Sequence, residues 1–105
     1  MTKLTAQGLA LLLSLFVTPL AAQPAVESFY KGKTIDFIIG YSPGGGYDTY
    51  ARLVARHMGQ YVPGAPNIVA RNMPGGGSRV AAGYVAKIAP KDGTVLALAD
   101  QSLSL

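Results

Sequence analysis

Residues 35–48, with the sequence IDFIIGYSPGGGYD, decide the fold of this 105-residue chain. The apolar run Ile35–Gly40 is nearly continuous and rich in branched and aromatic residues, which predicts a strand buried on both faces. The turn that follows contains Pro43 and three glycines, and a helix-patterned stretch begins at Asp48. Glycine adopts positive φ readily and lets a ligand approach the backbone, while the first helical amides attract negative charge. The turn therefore predicts a cradle for a carboxylate or a phosphate.

The same arrangement occurs a second time further along the chain. Asn67–Arg71 has the pattern of a strand, Pro74–Ser78 is a second glycine turn, and a helix-patterned stretch follows. Pro90–Gly93 predicts a turn, and Thr94–Ala99 predicts a third buried strand. The predicted fold is thus α/β, a parallel βαβαβ unit whose right-handed crossovers bring both glycine turns to one edge of the sheet. Asp100–Ser102, at the exit of the third strand, would form a third wall there.

The helices have amphipathic patterns. The first is predicted over Asp48–Tyr61, with Asp48 and Arg52 four residues apart and able to pair on its exposed face. Its apolar face is predicted to consist of Tyr50, Leu53, Val54, Met58 and Tyr61. Ser78 is predicted to be the N-cap of the second helix. The apolar face of that helix is predicted to consist of Ala81, Tyr84, Val85 and Ile88. Residues 23–33 are expected to be a polar lead-in that packs through Phe29 and Tyr30.

The first 22 residues predict an export signal. Lys3 gives a positive start, Gly8–Val17 is apolar but short for a membrane span, and small residues precede Gln23. We expect cleavage after Ala22 and a periplasmic protein. Residues 23–105 then provide about 80 residues, enough for one small domain or half of a two-lobed one.

Composition limits the chemistry available to the chain. The net charge is +4, and the basic residues are spread singly, which suits acidic small ligands but does not predict nucleic-acid binding. There is no cysteine, and the single histidine, His57, has no familiar metal-ligand spacing to the carboxylates. We therefore expect no metal and no cofactor.

Nucleotide binding and nucleophilic catalysis fit the motifs less well. A P-loop needs Lys followed by Ser or Thr, whereas Gly46 precedes Tyr47, and the dinucleotide fingerprint fails because Thr49 stands where its last glycine would be. No serine lies in a G-x-S-x-G motif, so we expect a protein that is not an enzyme. Arg71 could nevertheless meet a 2′-phosphate, and a nucleotide- or dinucleotide-binding enzyme fragment stays open as the alternative.

Three motifs in order resemble a known family. They are PGGGYD at residues 43–48, NMPGGGS at residues 72–78 and APKDGTVL at residues 89–96. Together they resemble the amino-terminal part of the tripartite tricarboxylate transporter receptors, the Bug family of periplasmic solute-binding proteins. The resemblance spans about residues 29–105.

The resemblance implies that the chain is the first part of lobe 1 of a type II periplasmic-binding-protein fold, a two-lobed Venus flytrap. It also implies that the protein captures a small organic anion, a carboxylate or related compound. The partners implied are the membrane permease subunits of the transporter. Family members are about three times longer, so residues 23–105 would be a partial lobe without the second lobe. Expressed alone, such a unit is expected to aggregate through its strand edges or fold loosely. A structural or interaction module without a ligand is a further alternative.

The predicted ligand-binding residues combine the turns and the resemblance. In the family the first two turns hold a ligand carboxylate through backbone groups and bridging waters. The third wall is a departure, because a small, hydroxyl-rich pattern is expected there. The predicted residues are Tyr41, Ser42, Pro43, Gly44, Gly45, Gly46 and Asp48 on the first turn, Pro74, Gly75, Gly76, Gly77 and Ser78 on the second, and Asp100, Gln101 and Ser102 after the third strand.

Overall fold

The computed structural model describes residues 22–103. The predicted signal peptide lies outside these residues, apart from Ala22, where the first helix begins. The helices and strands follow in the order α1 (Ala22–Tyr30), β1 (Thr34–Ile39), α2 (Gly46–Met58), a 3₁₀ turn (Gly59–Tyr61), β2 (Asn67–Asn72), α3 (Arg79–Lys87) and β3 (Val95–Leu98).

The three strands form one parallel sheet in the order β2-β1-β3. Ile39, at the end of β1, is level with Asn72 of β2 and Leu98 of β3, so all three strands end at one edge. This confirms the predicted βαβαβ unit. Because β2 and β3 flank β1 on opposite sides, right-handed crossovers put α2 and α3 on opposite faces of the sheet.

The core lies between β1 and α2. Phe37 and Ile39 pack around Ala51, and half-buried side chains from β2, β3 and α2 complete the cluster. Ile38, between them on the strand, points to the other face and is also buried. The central strand is thus buried on both faces, as its apolar run predicts.

The predicted apolar face of α2 is only partly correct: Val54 packs against the core, whereas Tyr61 is 80% exposed. Tyr50 is 64% exposed and Leu53 is 50% exposed, whereas the residues of α2 that are buried are Asp48 and Ala51. Polar contacts fix this rotation, because the Asp48 carboxylate bonds both to the first turn and to Asn72 on β2. α2 consequently packs against the sheet through Ala51 and the carboxylate of Asp48. The Asp48–Arg52 pair forms, but Asp48 is only 4% exposed, so the pair does not lie on an exposed face.

Two further expectations about α3 and β3 are corrected. Ile88, predicted to belong to the apolar face of α3, is exposed, whereas Ala81 is buried as expected. β3 is only partly buried, and Leu96 is 38% exposed. The reason is its place at the edge of the sheet, where no further element of residues 22–103 packs beside it.

The predicted polar lead-in is mostly helical. α1 ends at Tyr30, whose hydroxyl donates to the carbonyl oxygen of Gly93 at 3.0 Å. Phe29 meets the Tyr30 ring edge to face, with the centroids 4.8 Å apart. Tyr30 thus makes the predicted packing contact and ties α1 to the loop before β3, whereas Phe29 stays 39% exposed.

Candidate functional site

The carboxyl edge of the sheet gathers the three predicted walls. β1 is connected through α2 to β2, its neighbour on one side, whereas β3 is its neighbour on the other side. Such a divergence is a topological switch point, and open parallel sheets bind ligands in the crevice outside the strand ends at that point. The loop 40–45, the second turn and the segment 99–103 all follow strand ends at this edge.

The first turn leaves helix amides available. The hydrogen bonds of α2 begin with Thr49, whose amide donates to the carbonyl oxygen of Gly45 at 2.9 Å. The amides of Gly46, Tyr47 and Asp48 come before it, in the turn that has no intrahelical acceptors. No side chain among residues 22–103 caps these amides. This end of α2 can therefore accept an anionic group.

Positive φ is needed at one position of this turn. Gly44 has φ +94°, whereas Gly45 has φ −81° and ψ 177°, an extended conformation open to any residue. A Cβ atom at Gly45 would meet no atom within 4 Å, so it would project into open space. Glycine at position 45 therefore keeps the approach to the turn clear, and Gly44 is the residue that supplies the positive φ.

Asp48 holds the first turn in place. Its Oδ2 accepts from the amide of Gly44 at 3.0 Å, and its Oδ1 accepts from Asn72 Nδ2 at 2.7 Å. Arg52 Nε lies 3.0 Å from Oδ1, and Arg52 Nη2 donates to Asn72 Oδ1 at 2.6 Å. The hydrogen bond from Asn72, then that from the Gly44 amide and the Arg52 guanidinium, lower the pKa of Asp48 to about 2. The carboxylate is ionised and already occupied by the protein's own donors.

The second turn is unusual in its backbone conformation. Gly75, Gly76, Gly77 and Ser78 all have positive φ, from +57° to +135°. Ser78 occupies the N-cap position of α3 but makes no side-chain cap, so the predicted capping hydrogen bond is wrong. Its left-handed conformation directs the hydroxyl toward the sheet, where Oγ donates to the carbonyl oxygen of Gly40 at 3.3 Å and accepts from the amide of Asp100 at 3.0 Å. Ser78 thus ties the second turn to the ends of β1 and β3.

The third wall is joined to the first turn through a tyrosine. Asp100 Oδ2 accepts a hydrogen bond from the hydroxyl of Tyr41, and Oδ1 accepts from the amide of Ser102 at 2.7 Å and from its hydroxyl. Hydrogen bonds from the Ser102 hydroxyl, the larger contribution, and from the Tyr41 hydroxyl lower the pKa of Asp100 to about 2. The hydrogen bond between Tyr41 and Asp100 also raises the pKa of Tyr41. Gln101 is exposed. Asp100 is therefore an ionised group at the switch point.

Aromatic rings line the approach to the first turn. Tyr41 stacks on Tyr47 with the ring centroids 4.5 Å apart and an interplanar angle of 11°. Residues around this pair line an open cavity of about 270 Å³. A second open cavity of about 390 Å³, with an apolar lining, shares Gly46 and Tyr47 with it and extends to Tyr50 and Leu98. The lining residues of the first cavity are Tyr41, Ser42, Pro43, Gly45, Gly46 and Tyr47.

A larger cavity, of about 460 Å³, lies elsewhere, between α1 and the loop 60–65 that precedes β2. It is at the opposite edge of the sheet, away from the strand ends, and its lining contributes none of the predicted residues. We therefore place the candidate site at the switch point.

The sequence interpretation missed three contributors to the site. Asn72 links Asp48, Arg52 and the carbonyl oxygen of Tyr41, and its position as the last residue of β2 before a glycine turn is the signal that could have indicated it. Leu98, with Tyr50, forms the apolar cavity. That cavity exists because α2 is rotated so that Tyr50 is exposed, and the apolar pattern of the sequence does not predict this rotation.

No protein-family model, curated protein or solved structure matches this chain. Within residues 22–103, no group of three or more His, Cys, Asp and Glu side chains is arranged to hold a metal ion. None of the helices in the same part of the chain has the length and apolar character needed to span a membrane.

Proposed function

We propose that this chain is part of an exported solute-binding receptor, and that it captures a small organic carboxylate for a membrane transporter of the tripartite tricarboxylate class. The observation that carries the proposal is the uncapped amino end of α2 at the switch point of the sheet. An anion placed there accepts hydrogen bonds from main-chain amides and is stabilised by the helix dipole.

The surrounding groups support capture rather than catalysis. Asp48 bonds to the protein's own donors, so it serves to fix the turn and is not free as a general base. His57 lies near the end of α2, away from the turn at its beginning. The site therefore offers main-chain donors and an aromatic wall, and these features support the proposal of a binding protein.

The binding test uses the isotopically labelled 105-residue chain. Acetate, succinate and citrate are titrated to millimolar concentration while backbone amide resonances are followed, with ATP and NADP as nucleotide probes. We expect carboxylates to shift the amides of Gly46, Tyr47 and Asp48. Shifts caused by the nucleotides alone would instead favour a nucleotide-binding enzyme fragment, and no response at these amides to any probe would refute the proposal.

A matched pair of glycine variants tests the location. Gly45→Val places a side chain in the open space before the turn, where an extended backbone accepts it, so the fold should persist and carboxylate binding should be lost. Gly83→Val is the control, because a Cβ atom at Gly83 in α3 also meets no atom within 4 Å. Equal binding by both variants would show that the turn is not the cradle.

A further inference from the structure

The outer edge of β2 is a free strand edge. β2 is an outer strand of the sheet, and among residues 22–103 no strand lies beside it on the side away from β1. At the start of β2, the amide of Asn67 donates to the carbonyl oxygen of Lys33 at 3.0 Å. In a parallel pair, every second residue of a strand bonds to the neighbouring strand. The amides and carbonyls of Ile68 and Ala70 therefore point away from β1, toward the free edge.

The side chains of these two residues form the floor of a cavity. Ile68 and Ala70 are level with buried residues of β1 and lie on the face of the sheet that α2 covers. Together with Ala55 of α2 they line an open cavity of about 370 Å³, and the other lining residues are Arg52 and Arg56. The cavity thus places an apolar surface and two arginines directly beside the outward-pointing backbone groups of β2.

Arg56 is the arginine of this cavity that can meet a partner. The guanidinium of Arg52 already bonds to Asp48 and Asn72. Arg56 lies one helical turn further along α2 and is exposed. Neither of the salt bridges among residues 22–103 involves Arg56. Its charge is therefore available to a carboxylate that enters the cavity from the free edge.

The charges at this edge favour an acidic partner over a second copy of the chain. Arg71 lies on the opposite face of β2, and 60% of its side chain is exposed. Arginines consequently stand on both faces of the edge. Two copies joined through β2 would bring these cations together, and like charges on paired strands destabilise the pairing. An acidic segment would instead place carboxylates next to them.

We propose that the free edge of β2 is a docking site for an acidic, extended segment of a partner protein, which adds a fourth strand to the sheet. The backbone groups of Ile68 and Ala70 pair with the added strand, and its carboxylates meet Arg56 above the apolar floor of the cavity. Main-chain hydrogen bonds provide the affinity of such an added strand, and its alternate side chains provide specificity. The proposal requires no ligand at the first turn, so it goes beyond the proposed function.

Hydrogen exchange of the backbone amides tests the added strand. The probe is the peptide acetyl-TETETE-amide, titrated to millimolar concentration into the isotopically labelled 105-residue chain. Binding should slow exchange several-fold at the amides of Ile68 and Ala70, which point to the free edge. Exchange at the amide of Val69, which faces β1, should stay unchanged.

Two N-methylated peptides show whether the probe binds as a strand. One carries N-methyl groups on its threonines and the other on its glutamates, so the two have the same charge and the same number of methyl groups. An added strand bonds to its neighbour through the amides of alternate residues. One of the two peptides should therefore lose binding, and the other should keep it.

Charge variants test the acidic character of the partner. The peptide acetyl-TKTKTK-amide should bind several-fold more weakly than the glutamate peptide, and added salt should reduce this difference. Arg56→Gln should weaken binding of the glutamate peptide about twofold to fivefold, the loss expected from one exposed charge pair. Lys87→Gln is the matched control, because Lys87 lies in the last turn of α3 as Arg56 does in the last turn of α2. This control should keep the wild-type affinity.

Each contrary outcome overturns a stated part of the proposal. No slowed exchange at Ile68 and Ala70, or equal binding of the two N-methylated peptides, would overturn strand addition. Slowed exchange at Val95 and Ala97 instead would place the peptide at the edge of β3 and overturn the location. Equal binding of the lysine and glutamate peptides, or the same loss in Arg56→Gln and Lys87→Gln, would overturn the acidic partner.

Discussion

The close contact between Gly40 and Ser78 gives a sharp test of how the second turn is held. Gly40 follows β1, and a Cβ atom there would lie 2.4 Å from Ser78 Oγ, 2.7 Å from its Cβ and 3.2 Å from its Cα. Ser78 is fully buried, and its hydroxyl bonds to Gly40 and Asp100, so it has no free space to move into. We therefore predict that Gly40→Ala destabilises the fold strongly.

The magnitude follows from these contacts. Overpacking a rigid interior costs about 1–3 kcal/mol, and the loss of the Ser78 hydrogen bonds adds about 1 kcal/mol, giving about 2–4 kcal/mol for Gly40→Ala. Ser78→Gly loses the same hydrogen bonds but relieves a non-glycine residue at φ +70°, so its net effect should be under about 1 kcal/mol. In the double variant the remaining close neighbour is the Cα atom at 3.2 Å, and we expect about 1–2 kcal/mol of favourable coupling.

Urea unfolding followed by circular dichroism measures all the members of this cycle. Gly40→Ala with Ser78→Ala is the control, because alanine keeps the Cβ atom at 2.7 Å and the strained φ, and should give no rescue. Gly83→Ala, which introduces a Cβ atom into open space, should leave the free energy of unfolding unchanged or higher. Additive single effects, or equal rescue by Ser78→Ala and Ser78→Gly, would refute the packing argument.

The remaining predictions concern acid stability, the sheet edge and export. The pKa values of Asp48 and Asp100 are lowered from 3.8 to about 2 in the folded state, so these carboxylates stabilise the fold fully above pH 3.8 and lose this effect as the pH falls toward 2. An acid titration followed by circular dichroism should show this loss of stability. In the same pH range, Asp48→Asn should make the free energy of unfolding less dependent on pH. Residues 23–105 expressed alone should associate through the exposed edge of β3, and Leu96→Lys should restore a monomer in sedimentation velocity; equal association of both chains would argue against edge pairing. Amino-terminal sequencing of protein exported by a Gram-negative host should begin at Gln23, and an intact Met1 in the cytoplasm would contradict export.

The sequence predicts the topology and the edge that carries the site, because both follow from local pattern. The sequence contains an apolar strand, a glycine turn and the start of a helix in this order twice. This repeat allows few arrangements of a parallel sheet, and right-handed crossovers bring the two glycine turns to the same edge. The candidate residues at the first turn, the second turn and the exit of β3 accordingly lie at one edge of the sheet. Whether they hold a ligand stays a prediction.

The rotation of α2 could not be predicted, because it depends on contacts between residues distant in the chain. Periodicity favours burial of Tyr50 and Leu53, yet the bonds of Asp48 to Gly44 and Asn72 turn the helix toward Ala51. Ser78 failed as a predicted cap for a related reason. Its left-handed backbone, set by the turn before it, points the hydroxyl toward Gly40.

Asp48 and Asp100 show why the contacts of a carboxylate matter more than its presence. Asp48 accepts from a turn amide, an asparagine and an arginine, and its charge is paired by Arg52. Such a group stabilises the turn and adds little net charge for a ligand to meet. Asp100 is held by neutral donors, so its position is fixed while its charge is not paired. The contribution of Asp48 is therefore to fix the amino end of α2, whereas the Asp100 carboxylate joins the exit of β3 to Tyr41 and keeps its charge unpaired within residues 22–103.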